Sequence, residues 1–250
     1  MNWHNRYLQQ AAWTRELRTY LFKQAGVSNA RSVLEVGCGT GAILSGSYLP
    51  EGSPPSQAAL YGLDISSDVL QECRIHVPHA LLTRADAVAL PYPDKKFDLT
   101  YCHYLLLWVH DPFQALVQMK RVTRSQGSVL ALAEPDYTAR VDRPRELSWL
   151  GEQQTESLKK QGADVSLGSR LADLFYQAGI HIRETGIIKS LDQGTLSHEE
   201  WENEWAVLKT DLKGIVAEEQ IKKIKRLDEQ AWSRGEHELN VPTYFAWGQV

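Results

Sequence analysis

Apolar and polar residues follow two different rhythms in the first half of the chain. Short apolar runs, which are typical of buried β-strands, occur at residues 32–36, 59–65, 80–84, 97–103 and 128–134. Residues 68–76 and 113–123 instead carry apolar positions three and four residues apart, the spacing of amphipathic helices. Strands that alternate with helices in this way favour a doubly wound α/β fold, in which helices cover both faces of a parallel sheet.

Three further segments complete this part of the outline. Residues 3–25 predict one amphipathic helix that ends at Gly26. The segment from Thr40 to about Tyr48 predicts a short helix behind the first strand. Residues 51–57 are rich in glycine, serine and proline and predict a loop.

The pattern changes after the fifth predicted strand. Residues 137–165 are polar and helix-prone, and a helix is predicted over 168–178. A strand over 180–190 then precedes two helical stretches between about residues 197 and 233, and a final strand occupies 241–250. The two late strands are expected to extend the same sheet.

We therefore divide the chain into consecutive parts. Residues 26–135 are interpreted as a nucleotide-binding core, and residues 136–240, which include the strand 180–190, as a helical lid. Residues 1–25 form a separate N-terminal helix, and residues 241–250 contribute the last strand of the sheet.

Composition narrows the class of protein. The 250 residues are 43% hydrophobic and 23% charged, as in ordinary globular proteins, and the net charge is -4. This charge gives no electrostatic footprint for nucleic acid or for a membrane surface, and the basic run at 222–226 is flanked by acids. No secretion signal is visible at the start, and no apolar run approaches the roughly 18 residues of a membrane span. A cytoplasmic protein without a nucleic-acid or membrane partner is expected.

Metal binding has no recognisable pattern in the sequence. The three cysteines lack the spacing of metal ligands and are expected to be reduced, half-buried thiols. His76 and His79 are three residues apart, but Pro78 between them breaks helical geometry. The sequence therefore predicts no metal site.

The clearest chemical signal is the stretch VLEVGCGTG at residues 33–41. A strand that runs into a glycine-rich turn makes a corner where a nucleotide can approach the backbone. The spacing is G-x-G-x-G, whereas dinucleotide sites use G-x-G-x-x-G. Glu35, two residues before the first glycine, would repel a pyrophosphate but suits a ligand with an ammonium or sulfonium group. This favours S-adenosylmethionine and disfavours a nicotinamide-dependent oxidoreductase, which stays the weaker alternative.

Several motifs in order resemble the class I S-adenosylmethionine-dependent methyltransferases, in particular the small-molecule group often called type 11. They are EVGCGTG at 35–41, LDIS at 63–66 and the long stretch ADAVALPYPDKKFDLTYCHYLLLWVHDP at 85–112. The resemblance implies a Rossmann-like, doubly wound α/β fold. Its sheet would be mostly parallel with an antiparallel last strand, helical insertions would form a lid, and the N-terminal helix would cover the cofactor pocket.

The resemblance also assigns the cofactor contacts, with S-adenosyl-L-homocysteine as the product. The implied contact residues are Glu35, Gly37, Cys38, Gly39, Gly41, Asp64, Ile65, Asp86, Ala87 and His103. Among them, Glu35 would organise the loop, and Asp64 would accept hydrogen bonds from both ribose hydroxyls, since two carboxylate oxygens match two vicinal hydroxyls. Ile65 would lie against the adenine face. Asp86 and the Ala87 amide would bind the adenine edge.

Methyl transfer needs few catalytic groups. It is an in-line displacement at carbon, in which the cofactor supplies the leaving group and the enzyme supplies alignment and dehydration. A base is needed only if the acceptor atom carries a proton of high pKa. The candidates are His103, Glu134, Asp136 and Tyr137.

The acceptor is expected to be a small organic molecule, methylated at O, N or C. A catalytically silent S-adenosylmethionine-binding protein and a protein methyltransferase are the alternatives, and the sequence leaves the oligomeric state open. Lid arginines, among them Arg140, Arg143 and Arg170, could bind an anionic acceptor, or nearby acids such as Glu146 and Glu152 could neutralise them.

Overall fold

The computed structural model describes residues 3–46, 58–188 and 198–250. Its strands are β1 (Ser32–Val36), β2 (Ala59–Asp64), β3 (Leu81–Arg84), β4 (Phe97–Cys102), β5 (Thr123–Pro135), β6 (Val141–Arg143), β7 (His181–Ile188), β8 (Glu238–Asn240) and β9 (Thr243–Gln249). Its α-helices are α1 (Trp3–Trp13), α2 (Arg15–Gln24), α3 (Ser67–His76), α4 (Pro112–Val122), α5 (Ser148–Lys160), α6 (Leu167–Gln177), α7 (His198–Asp211) and α8 (Glu218–Ser233).

One seven-stranded sheet dominates the fold, in the order β3-β2-β1-β4-β5-β9-β7. The strands β1 to β5 pair in parallel, whereas β9 runs antiparallel to both of its neighbours, β5 and β7. Every residue of β1 is buried, as expected for a central strand covered on both faces. The predicted Rossmann-like α/β fold with an antiparallel last strand is confirmed.

The N-terminal segment differs from the prediction, because the helix expected over 3–25 is two helices. Between α1 and α2 lies Thr14, which is 1% exposed. Its hydroxyl lies 3.0 Å from Nε2 of His103 at the end of β4 and also accepts a hydrogen bond from Arg18. The break is thus held by a contact with the sheet, which the helical spacing of the sequence does not encode.

The short helix predicted after β1 is also wrong within the described residues. Residues 40–46 form turns, and both Gly41 and Gly46 have left-handed backbone conformations, with φ of 83° and 68°. Left-handed residues do not continue a right-handed helix. The remainder of that helix and the predicted loop at 51–57 lie outside the described residues.

Apolar side chains form separate cores above the sheet, below it and in the lid. One face of the sheet packs on α4 and α6, with Phe97, Leu116 and Phe175 fully buried, and the opposite face packs on α2 through Leu21 and Phe22. The third core includes residues of α5, α7 and α8, and the ribbon formed by β6 and β8 was not predicted. The division of the chain into cover, core and lid stays a prediction.

Two compositional expectations can be compared with the described residues. None of the described helices combines the length and apolarity that crossing a bilayer requires. Cys38, Cys73 and Cys102 are free thiols, and all three are buried rather than half-buried.

Candidate functional site

The glycine-rich loop after β1 depends on conformations that only glycine adopts freely. Gly37, Gly39 and Gly41 have φ of 73°, 50° and 83°. A Cβ on Gly37 would stand 2.6 Å from Leu105, and one on Gly41 would stand 2.7 Å from Val77 at the end of α3. The loop is therefore closely packed from behind.

The same loop is tied to the end of β2. The amides of Gly37 and Cys38 donate to the carbonyl of Leu63 over 2.7 and 2.9 Å. The Gly39 amide donates to Oδ2 of Asp64 over 2.9 Å, and the other oxygen of Asp64 accepts from the Ser66 amide over 3.0 Å. Asp64 thus fixes the relative positions of the glycine loop and the start of α3.

Ile65, which follows Asp64, presents an apolar side chain to solvent. It is 63% exposed, whereas Leu63 near the end of β2 is 1% exposed. Asp86 lies on the adjacent loop, where its carboxylate accepts from the Val88 amide over 3.2 Å, and Ala87 is buried. The Ala85 amide donates to the Asp64 carbonyl over 3.1 Å, so the two acids of the second and third strand ends are neighbours.

Glu35 is buried inside the sheet, at 2% exposure. Its carboxylate accepts a hydrogen bond from the hydroxyl of Tyr101 on β4 over 3.2 Å. Burial raises the pKa of Glu35 well above its usual value, while the Tyr101 hydrogen bond and the positive charge of Arg18 act in the opposite direction. The described partner of Glu35 is therefore a core tyrosine, and its expected action on the loop stays a prediction.

Arg18 on α2 is fully buried, which was not predicted from the sequence. It donates to the carbonyl of Ala11 and, over 2.6 Å, to the hydroxyl of Thr14. The available signal was a cation on the apolar side of a predicted amphipathic helix, one residue from Leu17 and three from Leu21. Such a cation needs a buried acceptor or counter-charge, and Glu35 lies within electrostatic range.

His103, at the carboxyl end of β4, is held between Thr14 and Tyr104. Its Nε2 lies 3.0 Å from the Thr14 hydroxyl, and its ring meets that of Tyr104 edge to face at 4.6 Å. Burial and the charge of Arg18 lower the pKa of His103 well below its usual value. The imidazole is therefore neutral at pH 7, and it is a weaker base than a free histidine.

The carboxylate of Glu134 at the end of β5 is engaged by the backbone. It is fully buried and accepts hydrogen bonds from the amides of Leu105, Leu106 and Leu107 over 3.1, 3.0 and 3.2 Å. Burial raises the pKa of Glu134 to about 7, with the three amides acting in the opposite direction. These contacts hold the segment that follows β4, and a catalytic function for Glu134 stays a prediction.

Asp136 and Tyr137 follow directly on β5. Asp136 is 2% exposed and accepts from the amide and hydroxyl of Thr138 over 2.9 and 2.5 Å. Burial acts to raise the pKa of Asp136, but hydrogen bonds from Ser169 and Thr138 outweigh it and leave that pKa below its usual value. Burial raises the pKa of the Tyr137 phenol. Asp136 thus begins a turn, and its catalytic use and that of Tyr137 stay predictions.

Helix α1 lies over the glycine loop. The Tyr7 ring is 3.5 Å from the place where Gly39 would carry a Cβ, and Nδ1 of His4 lies 2.8 Å from the hydroxyl of Thr40. Burial and the charge of Asp64 raise the pKa of Tyr7, which puts its phenol near that carboxylate. These contacts place α1 where the N-terminal helix was predicted to cover the cofactor pocket.

The far side of α1 contacts the lid. Arg6 pairs with Glu204 on α7, its Nη1 lying 2.6 Å from Oε1, and its guanidinium lies 4.8 Å from the ring centroid of Trp13. The charges of this pair also contribute to the pKa values of Tyr104 and Tyr137, so Arg6 and Glu204 lie within electrostatic range of both phenols. Sequence analysis missed the pair because its members are 198 residues apart.

The lid arginines singled out in the sequence have internal partners, which differ from Glu146 and Glu152. The ion pairs are Arg140–Asp142, Arg143–Glu238 and Arg170–Asp164. Arg140 is also bonded to Gln154, whose side-chain amide donates to Asp211 over 2.7 Å. These cations are used to hold the lid together.

Comparisons with known proteins agree with the arrangement of the core. Residues 34–131 match a family described as a methyltransferase domain. Malonyl-acyl-carrier-protein O-methyltransferase of Halorhodospira halophila is 34% identical over 103 residues, which are 40% of this chain and 34% of that relative. Demethylmenaquinone methyltransferase of Shouchella clausii is 28% identical over 198 residues, 69% of this chain and 78% of the relative.

A solved structure from Galdieria sulphuraria, described provisionally as a sarcosine dimethylglycine methyltransferase, shares the fold. Its TM-score is 0.61 at 14% identity, and the alignment covers 94% of this chain and 84% of that one. The chain covers only 48%, 34% and 39% of the length of the first three curated relatives that it matches. Residues 34–131 contain the glycine loop, Asp64 and Asp86, and they form a methyltransferase domain with the fold of the class I S-adenosylmethionine-dependent methyltransferases.

Proposed function

We propose that this protein transfers a methyl group from S-adenosylmethionine to an O, N or C atom of a small organic acceptor. One observation carries the proposal. A loop of glycines with positive φ is hydrogen-bonded through the Gly39 amide to the carboxylate of Asp64, and the exposed Ile65 follows Asp64 directly. An acid paired with an apolar platform suits a ribose joined to a flat base. Bound S-adenosylmethionine supplies an activated methyl group on a sulfonium.

The residues of the core fit such a cofactor. At Gly39 the nearest side chain is Tyr7, whose ring lies 3.5 Å from the position of the missing Cβ. A ligand would therefore reach the Gly39 backbone either beside the Tyr7 ring or after α1 moves. Asp64 already accepts two amide hydrogen bonds, and a carboxylate has acceptor capacity for about two more. Asp64 would hold the ribose hydroxyls, Ile65 would pack on the adenine, and Asp86 with the Ala87 amide would bind its edge.

Positioning and the exclusion of water are the contributions expected of the other side chains. Helix α1 covers the corner through His4 and Tyr7. The neutral His103 is held by Thr14, so its ring has one orientation beside Tyr104. Fixed alignment of donor and acceptor is the main source of rate in a displacement that needs no covalent intermediate on the protein.

The chemistry of the acceptor is supported by the relatives and by the charges. Two of the relatives are named as a malonyl-acyl-carrier-protein O-methyltransferase and as a demethylmenaquinone methyltransferase, and both names specify an acceptor with an organic group. The net charge of -4 and the internal pairing of Arg140, Arg143 and Arg170 leave little positive surface for nucleic acid.

Thermal unfolding with added ligands tests the proposal directly. A ligand that binds only the folded state raises the unfolding temperature with its concentration. S-adenosylmethionine and S-adenosylhomocysteine should both raise the unfolding temperature, and NAD should leave it unchanged. A shift with NAD alone would contradict the cofactor assignment. Cofactor binding without methylation of any phenol, amine or carboxylic acid in a broad panel would favour the catalytically silent alternative.

Asp64→Ala tests the site itself. Loss of hydrogen bonds to a charged acceptor costs about 1.5–3 kcal/mol, so affinity for both adenosyl ligands should fall by about 10- to 100-fold. Asp173→Ala is the matched control, because Asp173 is an exposed aspartate on α6. Titration calorimetry provides the affinities. Equal affinity in the Asp64 and Asp173 variants would overturn the assignment.

A further inference from the structure

Two histidines and a glutamate from different helices meet where α1 crosses α3. His4, Glu72 and His76 each offer one ligand atom, and these atoms lie within 4.8 Å of one another. The imidazole rings of His4 and His76 are parallel, with centroids 3.5 Å apart and an interplanar angle of 2°. Nε2 of His76 lies 3.9 Å from Oε1 of Glu72, one turn earlier on the same helix. Glu72 and His76 are neighbours because they lie one turn apart on α3, whereas His4 joins them only through the packing of α1.

The surroundings of His4 resemble the outer contacts of a metal-binding histidine. Its Nδ1 is hydrogen-bonded at 2.8 Å to the hydroxyl of Thr40, which is fully buried in the glycine loop. A histidine that binds a metal through one nitrogen usually has the other fixed by such a hydrogen bond. Nε2 is therefore the His4 nitrogen that is left for a metal ion.

The two rings need a small rearrangement to share one ion. Stacked parallel imidazoles do not direct their lone pairs at a common point, because each lone pair lies in its own ring plane. His4 is fixed by Thr40, whereas His76 is exposed and its nearest acid, Glu72, is 3.9 Å away. Because His76 is exposed, we expect its side chain to rotate so that one ring nitrogen can share an ion with His4 and Glu72.

We propose that His4, Glu72 and His76 bind a divalent first-row transition metal ion of the Zn²⁺ type. Two imidazole nitrogens and one carboxylate oxygen are a zinc ligand set, with metal–ligand distances of about 2.0–2.2 Å and a fourth position for water. Mg²⁺ and Ca²⁺ prefer sites made only of oxygen, so this set selects against them.

The ion would act on the cofactor corner, the predicted site formed by the glycine loop, Asp64 and Asp86, without touching it. It would join α1 to α3, and the hydrogen bond between His4 and Thr40 would connect it to the glycine loop. Metal binding would therefore favour the covering position of α1. Since coupling between two binding sites is reciprocal, zinc and the adenosyl ligand should each increase the affinity of the other.

Calorimetric titration of chelator-treated full-length protein with ZnCl₂ tests the site. One zinc ion per chain is expected, and Co²⁺ in its place should give the visible absorption of a four-coordinate ion. Loss of one ligand, in His4→Ala, Glu72→Gln or His76→Ala, should weaken zinc binding at least tenfold. His79→Ala, which removes an exposed histidine outside the cluster, should bind zinc as the wild type does.

The His4 variant is the deciding one. A glutamate and a histidine one turn apart on α3 could chelate an ion on the surface without α1. Unchanged zinc affinity in His4→Ala would overturn the proposal, and so would equal losses in the His79 and His76 variants or the absence of stoichiometric binding. Far-UV circular dichroism of each variant before titration confirms that it is folded. Zinc binding is measured without methyl transfer, so this result stands apart from the proposed activity.

Discussion

The cofactor corner and the lid are held together in opposite ways. In the corner, the contacts run between backbone groups and single carboxylates at strand ends, such as Gly39 with Asp64 and the amides of 105–107 with Glu134. In the lid, side chains bond mainly to other side chains, and some of these partners lie far apart in the sequence, as in Arg140–Gln154–Asp211. A corner of this kind can stay constant while the lid changes, as the proposed function requires of a cofactor site and an acceptor site.

Asp228 is the clearest example of the lid's construction. It is 4% exposed and accepts hydrogen bonds from the indoles of Trp201 and Trp205 over 2.8 and 2.6 Å. Nδ1 of His237, just before β8, lies 2.6 Å from its other oxygen. One carboxylate thus joins α7, α8 and the segment that leads to the ribbon.

The largest expected effect is that of Asp228→Ala. Two buried indole donors and His237 lose their acceptor, and breaking such a buried polar network costs about 3–5 kcal/mol of unfolding free energy. Glu229→Ala, at the exposed neighbouring position, should change stability by at most about 0.5 kcal/mol. Chemical denaturation gives both values. If the two regions are as independent as their contacts indicate, S-adenosylhomocysteine affinity should be retained in the folded Asp228 variant.

The second prediction is a pH dependence of stability that is caused by Glu134, which lies at the boundary of the two regions. Burial raises its pKa from 4.5 to about 7, so the folded protein favours the neutral acid. The associated stability is fully present below about pH 4.5 and is lost as pH rises through 7. At about 1.4 kcal/mol per pKa unit the change is on the order of 3 kcal/mol.

Glu134→Gln isolates this titration. The free energy of unfolding of the wild type, measured relative to that of the variant, should fall as the pH rises from 4.5 to 7.5. Urea unfolding at several pH values measures that difference. A difference that stays flat would mean that the amides of residues 105–107 keep the carboxylate ionised in the folded protein.

A smaller loss is expected when the glycine loop is altered. Gly41→Ala adds a Cβ within 2.7 Å of Val77 to a residue with φ of 83°. Gly26→Ala provides the comparison, because Gly26 also has a positive φ of 72° but nothing within 4 Å of its Cβ position. Both variants lose about 1 kcal/mol to backbone strain, and overlap should cost Gly41→Ala about 2 kcal/mol more. Equal thermal stability of Gly41→Ala and Gly26→Ala would show that the glycine loop relieves the overlap with Val77 by a small shift.

The smallest effect is expected at the bridge between the regions. Glu204→Gln removes the charge partner of Arg6, whose side chain is 9% exposed, and should cost about 1 kcal/mol. Hydrogen exchange of α1 amides should become faster, since this pair holds the helix to the lid. Glu219→Gln, which breaks the exposed pair with Lys222, should leave both stability and exchange unchanged. Identical exchange in the two variants would argue against α1 as a link.

Local patterns in the amino-acid sequence were sufficient to predict the parallel core, the glycine loop and the acids at strand ends. Each of these has a local signature: apolar runs of strand length, glycine where φ is positive, and an acid at the end of an apolar run. Parallel strands then bring their carboxyl ends to one edge, so Asp64 and Asp86 become neighbours without further information.

Other features depend on how the elements pack in three dimensions: the break at Thr14, the burial of Arg18, the pair Arg6–Glu204 and the cluster of His4 with α3. Thr14 contacts His103, 89 residues away, and Arg6 pairs with Glu204, 198 residues away. Arg18 bonds to the nearby Ala11 and Thr14, but its burial depends on how α2 packs against the sheet. Contacts of that kind are set by how whole helices pack, because packing fixes distances that no local period or turn residue specifies.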